Sequence, residues 1–182
     1  MTEFDSFATQ LLEEAKVLLE KSNKEDHFVK TTYLHSSLLL SISALEACIN
    51  SVTDELMIDS YRDKFAIHEQ SLLLEKEIRF DKGEFVLSNS LKMSRITDKL
   101  EYLLFKYTGQ KIDGTTDWYY NLKQSIELRN KLVHPKSDLL VSTKNVEVAI
   151  LSVVNAINAL YMAVYKRKYP SYDRGVLPKV PL

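Results

Sequence analysis

The stretch Leu34–Leu56, LHSSLLLSISALEACINSVTDEL, decides the fold class. Leu34, Leu38, Ile42, Leu45, Ile49, Val52 and Leu56 recur at steps of three and four residues without a break. That spacing places them on one side of an α-helix, which turns about every 3.6 residues. A long helix is therefore predicted, with one apolar stripe turned toward other helices. Cys48, the single cysteine, lies inside this stretch. It reads as a small buried thiol, suited to a reducing compartment, and no intramolecular disulfide is possible.

Outward from this helix the same periodicity returns. Toward the N-terminus, Phe4, Phe7, Leu11, Ala15 and Leu18 form a stripe for a first helix, with acids near its start. Toward the C-terminus, the segment 61–78 reads as less regular helix. The residues Asp81-Lys82-Gly83 then mark a turn, consistent with a short hairpin near residues 78–88 flanked by Phe80 and Phe85. A helix is predicted over Ser90–Tyr107, with Leu91, Ile96, Leu100, Leu103 and Leu104 inward and Gly109 at its end. After the loop GQKIDGTTD, Thr116 or Asp117 is placed to cap a helix that runs to Val133 and stops before Pro135. A last helix is expected near Thr143–Lys168, carrying Val146, Ile150, Val153, Ile157, Leu160 and Val164. Its closing Lys166-Arg167-Lys168 suits the negative end of the helix dipole. Residues 169–182 read as an extended tail. Only four glycines and four prolines occur in 182 residues, and so little punctuation favours long helices. The expectation is a single all-α domain over 1–182, an up-and-down bundle of five to six helices with a short hairpin.

Composition narrows the function. Hydrophobic residues make up 45% and charged residues 27%, as in ordinary globular proteins. A formal net charge of -1 provides no global field for nucleic acid, so any RNA contact would be local. The first residues carry acids where a secretory signal needs bases and an apolar block, and Leu38-Leu39-Leu40 is too short a run to span a bilayer. A cytoplasmic protein without membrane contact is the expectation. His27, His35 and His68 are dispersed and show no ligand spacing with acids or Cys48, so no metal site is expected. The scattered glycines make no phosphate-cradling loop, and no cofactor is expected. Ten tyrosines could stack on bases, although at helical spacing such residues more often serve packing or an interface.

The helix ending at Val133 breaks its own pattern. Trp118, Leu122, Ile126 and Val133 cluster on one face, and Arg129 falls in the middle of it. A guanidinium in such a stripe is costly unless paired. Asn130 and His134, four residues apart, sit on the flank. A matching irregularity occurs in the Leu34–Leu56 helix, where Glu46 and Asn50 border the stripe. If the two seams face one another, Glu46 pairs with Arg129.

Arg129-Asn130-Lys131-Leu132-Val133-His134 resembles the RNxxxH signature of HEPN domains, and SALEACINSVTDEL (Ser43–Leu56) is similar to the second long helix of that family. The resemblance covers helix order over most of the chain and residue matching in these two segments. It implies metal-independent RNA cleavage by a homodimer in which two motifs face one cleft, with Arg129, Asn130 and His134 catalytic and Glu46, Asn50 and Lys136 supporting. An imidazole that titrates near neutrality suits proton transfer, and a guanidinium offers a planar fork for phosphate oxygens. Toxin and phage-defence roles, with an antitoxin or other partner protein, follow from the same resemblance. Some members of the family extend the motif to a tyrosine two residues past the histidine that receives a nucleotidyl group; here that position is Lys136. The alternative reading is a non-catalytic interaction module, with Arg129 tying helices together and His134 favoured by the helix C-terminus.

Overall fold

A computed structural model describes residues 3–179, with the backbone only for 3–6 and 59–60. The chain is mostly helical. Six helices have eight residues or more: α1 (Glu3–Ser22), α2 (His27–Leu56), α4 (Ile67–Leu74), α5 (Ile96–Thr108), α6 (Asp117–Val133) and α7 (Thr143–Tyr165). A four-residue turn, α3 (Asp59–Arg62), lies between α2 and α4. One antiparallel pair, β1 (Lys76–Asp81) and β2 (Glu84–Leu91), separates α4 from α5.

α2 carries the predicted stripe. Leu34, Leu38, Ile42, Leu45, Ile49 and Val52 are all buried. The helix begins earlier than its apolar pattern, because the Asp26 carboxylate caps it by accepting from the Val29 N–H. α1 packs along α2, and the Ser37 hydroxyl donates to the Ala15 carbonyl at 2.6 Å between them. α7 is the central element, touching α1, α2, α5 and α6. Ser142 and Asn145 bond reciprocally across its first turn, a capping box that fixes where it starts. Both α2 and α7 are long and apolar enough to cross a bilayer, more than the three-leucine run suggested, yet more than half of each is buried within the fold.

Several predicted boundaries shift. In α1 the buried apolar positions are Ala8, Leu12, Ala15 and Leu19, while Phe7 is exposed; the side chain of Phe4 lies outside the described residues. Two adjacent stripes satisfy helical spacing there, and packing against α2 and α7 selects the second. The segment 61–78 is not one helix. α4 ends at Glu75, whose left-handed backbone (φ 55) reverses the chain into β1. The hairpin is longer than 78–88, so Ser90 and Leu91 belong to β2 and α5 starts only at Ile96; Leu91 is exposed. α7 stops at Tyr165 and Lys166 caps it in the left-handed region (φ 56). Lys166, Arg167 and Lys168 then each engage locally. Lys166 Nζ donates to the Ala163 carbonyl, Arg167 lies over the Tyr161 and Tyr165 rings, and Lys168 pairs with Asp173. The tail is not simply extended. Tyr169 is buried, a 3-10 turn forms at Tyr172–Arg174, and the Lys179 N–H donates to Glu13 on α1. Residues 180–182 lie outside the described ones.

Candidate functional site

α6 ends where Pro135 forbids a further helical turn. The residue before a proline is pushed out of the α region, and His134 takes φ -125 and ψ 66. Its N–H still donates to the Asn130 carbonyl at 2.9 Å, so the imidazole is held at the tip of the helix. Asn130 and His134 are both exposed. Together with Glu127, Lys131, Lys136, Ser137 and Leu139 they line an open hollow of about 380 Å³. Lys131 pairs with Glu127 at 2.8 Å along the same helix, which leaves Lys136 as the lining cation without an ion pair within 4.0 Å among the described residues.

Arg129 takes the other flank of α6. Its guanidinium donates to Glu46 Oε1 of α2 at 3.0 Å, forming the pair that the two stripe irregularities predicted. The side chain is about three-quarters buried, and its Nε has no hydrogen-bond acceptor among the described residues. The pair therefore engages one terminal nitrogen of the fork and leaves the buried Nε without an acceptor.

The seam is rotated relative to the sequence reading. Tyr119, Leu122 and Ser125 are the buried residues of α6, Trp118 and Ile126 are half-buried, and Val133 is exposed. Helical spacing alone leaves about one residue of rotational freedom; Asn121, Ser125 and Leu128 line one hollow with Lys144, Asn145 and Val148 of α7, while Tyr119 reaches Glu101 of α5. Asn50 does not join Arg129. Its carboxamide oxygen accepts from Lys99 Nζ at 3.2 Å, and Lys99 also pairs with Glu75 at 3.3 Å. This second cluster lines a smaller hollow of about 220 Å³ with Glu46, Ser94 and Met93.

Six residues singled out in the sequence thus divide three ways. Asn130, His134 and Lys136 share one hollow, Arg129 and Glu46 pair beside it, and Asn50 belongs to the base of the hairpin. Lys131 and Ser137 were missed as lining residues, although Lys131 lies inside the RNxxxH span and four residues from Glu127. Buried Lys99 was missed too; its only sequence signal is a position four residues before Leu103 on the inward side of α5. Several tyrosines pack, while Tyr61 and Tyr120 are exposed. Tyr161 meets Tyr165 and Tyr169 edge-to-face at 5.2 Å, and the Tyr119 hydroxyl donates to Glu101. Among the described residues no group of three or more His, Cys, Asp or Glu is placed to hold a metal ion.

An exposed imidazole, a carboxamide and an ammonium around one hollow can bind an anion and exchange protons with it. A single chain supplies one imidazole there. Comparison with known proteins identifies no relative: no family model, no curated protein and no solved structure matches the chain.

Proposed function

We propose that the chain is a HEPN-like endoribonuclease of the toxin or phage-defence kind, acting in the cytoplasm as a homodimer without a metal ion. The observation that carries this reading is the exposed Asn130-His134-Lys136 hollow at the end of α6, beside an arginine anchored by Glu46. In the reaction, a base removes the proton from a ribose 2′-hydroxyl, and its oxygen attacks the adjacent phosphorus. The bond to the 5′-oxygen breaks, and an acid protonates that leaving oxygen. The products are a 2′,3′-cyclic phosphate and a 5′-hydroxyl, with no net oxidation and no water consumed. His134 of one chain takes the base role and His134 of a second chain the acid role. Arg129 and Lys136 offset charge on the phosphorane, and Asn130 orients it.

The test is cleavage of a mixed RNA pool in EDTA by wild type, His134→Ala and Arg129→Ala. Cyclic-phosphate ends from wild type, with His134→Ala slower by about 10²–10⁴-fold, are expected. Equal cleavage by wild type and His134→Ala would overturn the assignment.

One observation favours a second reading. Glu46 neutralises much of the Arg129 charge, as in a helix tie rather than a phosphate fork. A non-catalytic module holding a protein partner would show no cleavage by any variant, and His134→Ala would act only through stability, by removing a side chain favoured at the helix C-terminus.

A further inference from the structure

The hairpin is the most unusual surface of the molecule. Its register places Ile78 opposite Leu87 and Phe80 opposite Phe85, so these four side chains share one face. Phe80 and Phe85 stack edge-to-face at 5.3 Å, yet they are 66% and 65% exposed. The other face carries Glu77, Arg79 and Asp81. Among the described residues β1 has β2 as its sole strand neighbour, so its second edge is open. A two-stranded ribbon is marginal by itself, and an open edge beside exposed phenyl rings invites another strand.

The charges indicate which strand. Lys76, Arg79 and Lys82 balance Glu77, Asp81 and Glu84, and Arg79 is paired with Asp81 at 3.4 Å. A ribbon without net charge lacks the cationic field that would draw a phosphate backbone. It is instead complementary to itself. The turn has two residues, Lys82 and Gly83, so the ladder alternation directs the backbone groups of Ile78 and Phe80 toward the open edge. A second β1 laid antiparallel about a two-fold axis at Ile78 sets Ile78 against Ile78. It also sets Glu77 against Arg79 twice, once on each side of the axis. Moving the axis to Arg79 brings Arg79 against itself and Glu77 against Asp81, both repulsive. Moving it to Phe80 runs the pairing into the turn. Slips of one residue turn the apolar face over and misalign the hydrogen bonds.

We propose that the open edge of β1 is a self-association site, where two copies of the chain build a four-stranded antiparallel sheet centred on Ile78. The joined sheet gathers Ile78, Phe80, Phe85 and Leu87 of both copies into one apolar face. Strand pairing of this length buries less than the ~1,200 Å² of a standard interface, which puts the dimer in the weak, transient class. The inference is independent of the ribonuclease reading.

Sedimentation velocity on the full chain, from low micromolar to near-millimolar concentration, tests it. The wild type is expected to associate further over that range, from monomer to dimer or, where the His134 sites already pair two chains, from dimer to tetramer. Arg79→Glu and Glu77→Arg each place like charges opposite one another twice, and each weakens the dimer by about tenfold or more. The double variant Glu77→Arg/Arg79→Glu restores the pairing and the wild-type dimer. Unchanged circular dichroism checks that the exposed hairpin tolerates the exchanges. A wild type that associates no further overturns the proposal, including the case in which Phe80→Ala instead weakens RNA binding. So does a dimer indifferent to the single reversals.

Discussion

Arg129 sits where burial and charge oppose one another. Its side chain is mostly out of water, and Glu46 is its only ionic partner among the described residues. Because Glu46 remains 43% exposed, the pair is screened by solvent, and a double-mutant cycle with Glu46→Gln and Arg129→Gln is expected to give a coupling of about 0.5–1 kcal/mol. Urea unfolding of the four proteins measures it; a coupling near zero would mean that the contact contributes nothing to stability. Leu122 makes a contrast. It is fully buried against the core, and Leu122→Ala is expected to cost about 2–4 kcal/mol in the same assay. The Glu46–Arg129 pair was legible in the sequence because Arg129 falls within one apolar stripe and Glu46 borders another, and a charge so placed on one helix asks for a partner on the other. Asn50 borders the same stripe, but its partner Lys99 lies 49 residues away on a helix that starts at Ile96 and not at Ser90. The rule identified a polar residue that needed a partner without identifying the partner.

At the scale of elements, the hairpin turn is the most testable feature. Lys82 (φ 49) and Gly83 (φ 94) both occupy the left-handed side of backbone space, the pairing of a tight two-residue turn. Lysine adopts that region reluctantly and asparagine readily. Lys82→Asn is therefore expected to stabilise the hairpin and to slow amide exchange in β1. Gly83→Ala, which meets no neighbouring atom but strains the backbone, is expected to speed exchange and to cost about 1 kcal/mol. Faster exchange in Lys82→Asn would contradict the turn geometry. The Asp-Lys-Gly signal gave the turn, and period-two alternation gave neither strand's length. Glu75 explains why: a left-handed residue that is not glycine is invisible to propensity, so α4 and β1 ran together into one apparent helix. In α1 the difficulty was different. Apolar residues were dense enough to support two stripes, and the choice between them was made by α2.

The whole molecule responds to pH through groups that bridge its elements. Burial raises the affinity of the Glu69 carboxyl for its proton, but the Lys106 ammonium, the Tyr102 hydroxyl and the Ala66 N–H together hold it below the usual carboxylate range. Its folded pKa is depressed, so its contribution is present above the unfolded carboxylate pKa and is lost as pH falls through the folded value. Thermal stability is expected to decline on acidification, and Glu69→Gln to flatten that decline; an unchanged acid limb would remove Glu69 from the account. At the other extreme, burial and then the Glu69 carboxylate raise Tyr102, and burial and then Glu101 raise Tyr119. Raised folded pKa values give stability that is full below the free phenol range near 10 and lost above it. Ultraviolet titration should show these two phenols ionising only as the chain unfolds.

One contact reaches across nearly the full chain. The Lys179 N–H meets Glu13 on α1, 166 residues away, after Tyr169 has entered the core and the chain has turned at Tyr172–Arg174. A ring of that size closes late, because nothing local brings its ends together and the helices between them must already be set. A refolding chain is therefore expected to pass through a stage with its bundle assembled and Glu13 not yet joined to Lys179; amide exchange of the Lys179 N–H during refolding checks it. The last event of folding is then the arrival of a strap that no helix needs in order to form, and that ties the residues after α7 back to Glu13.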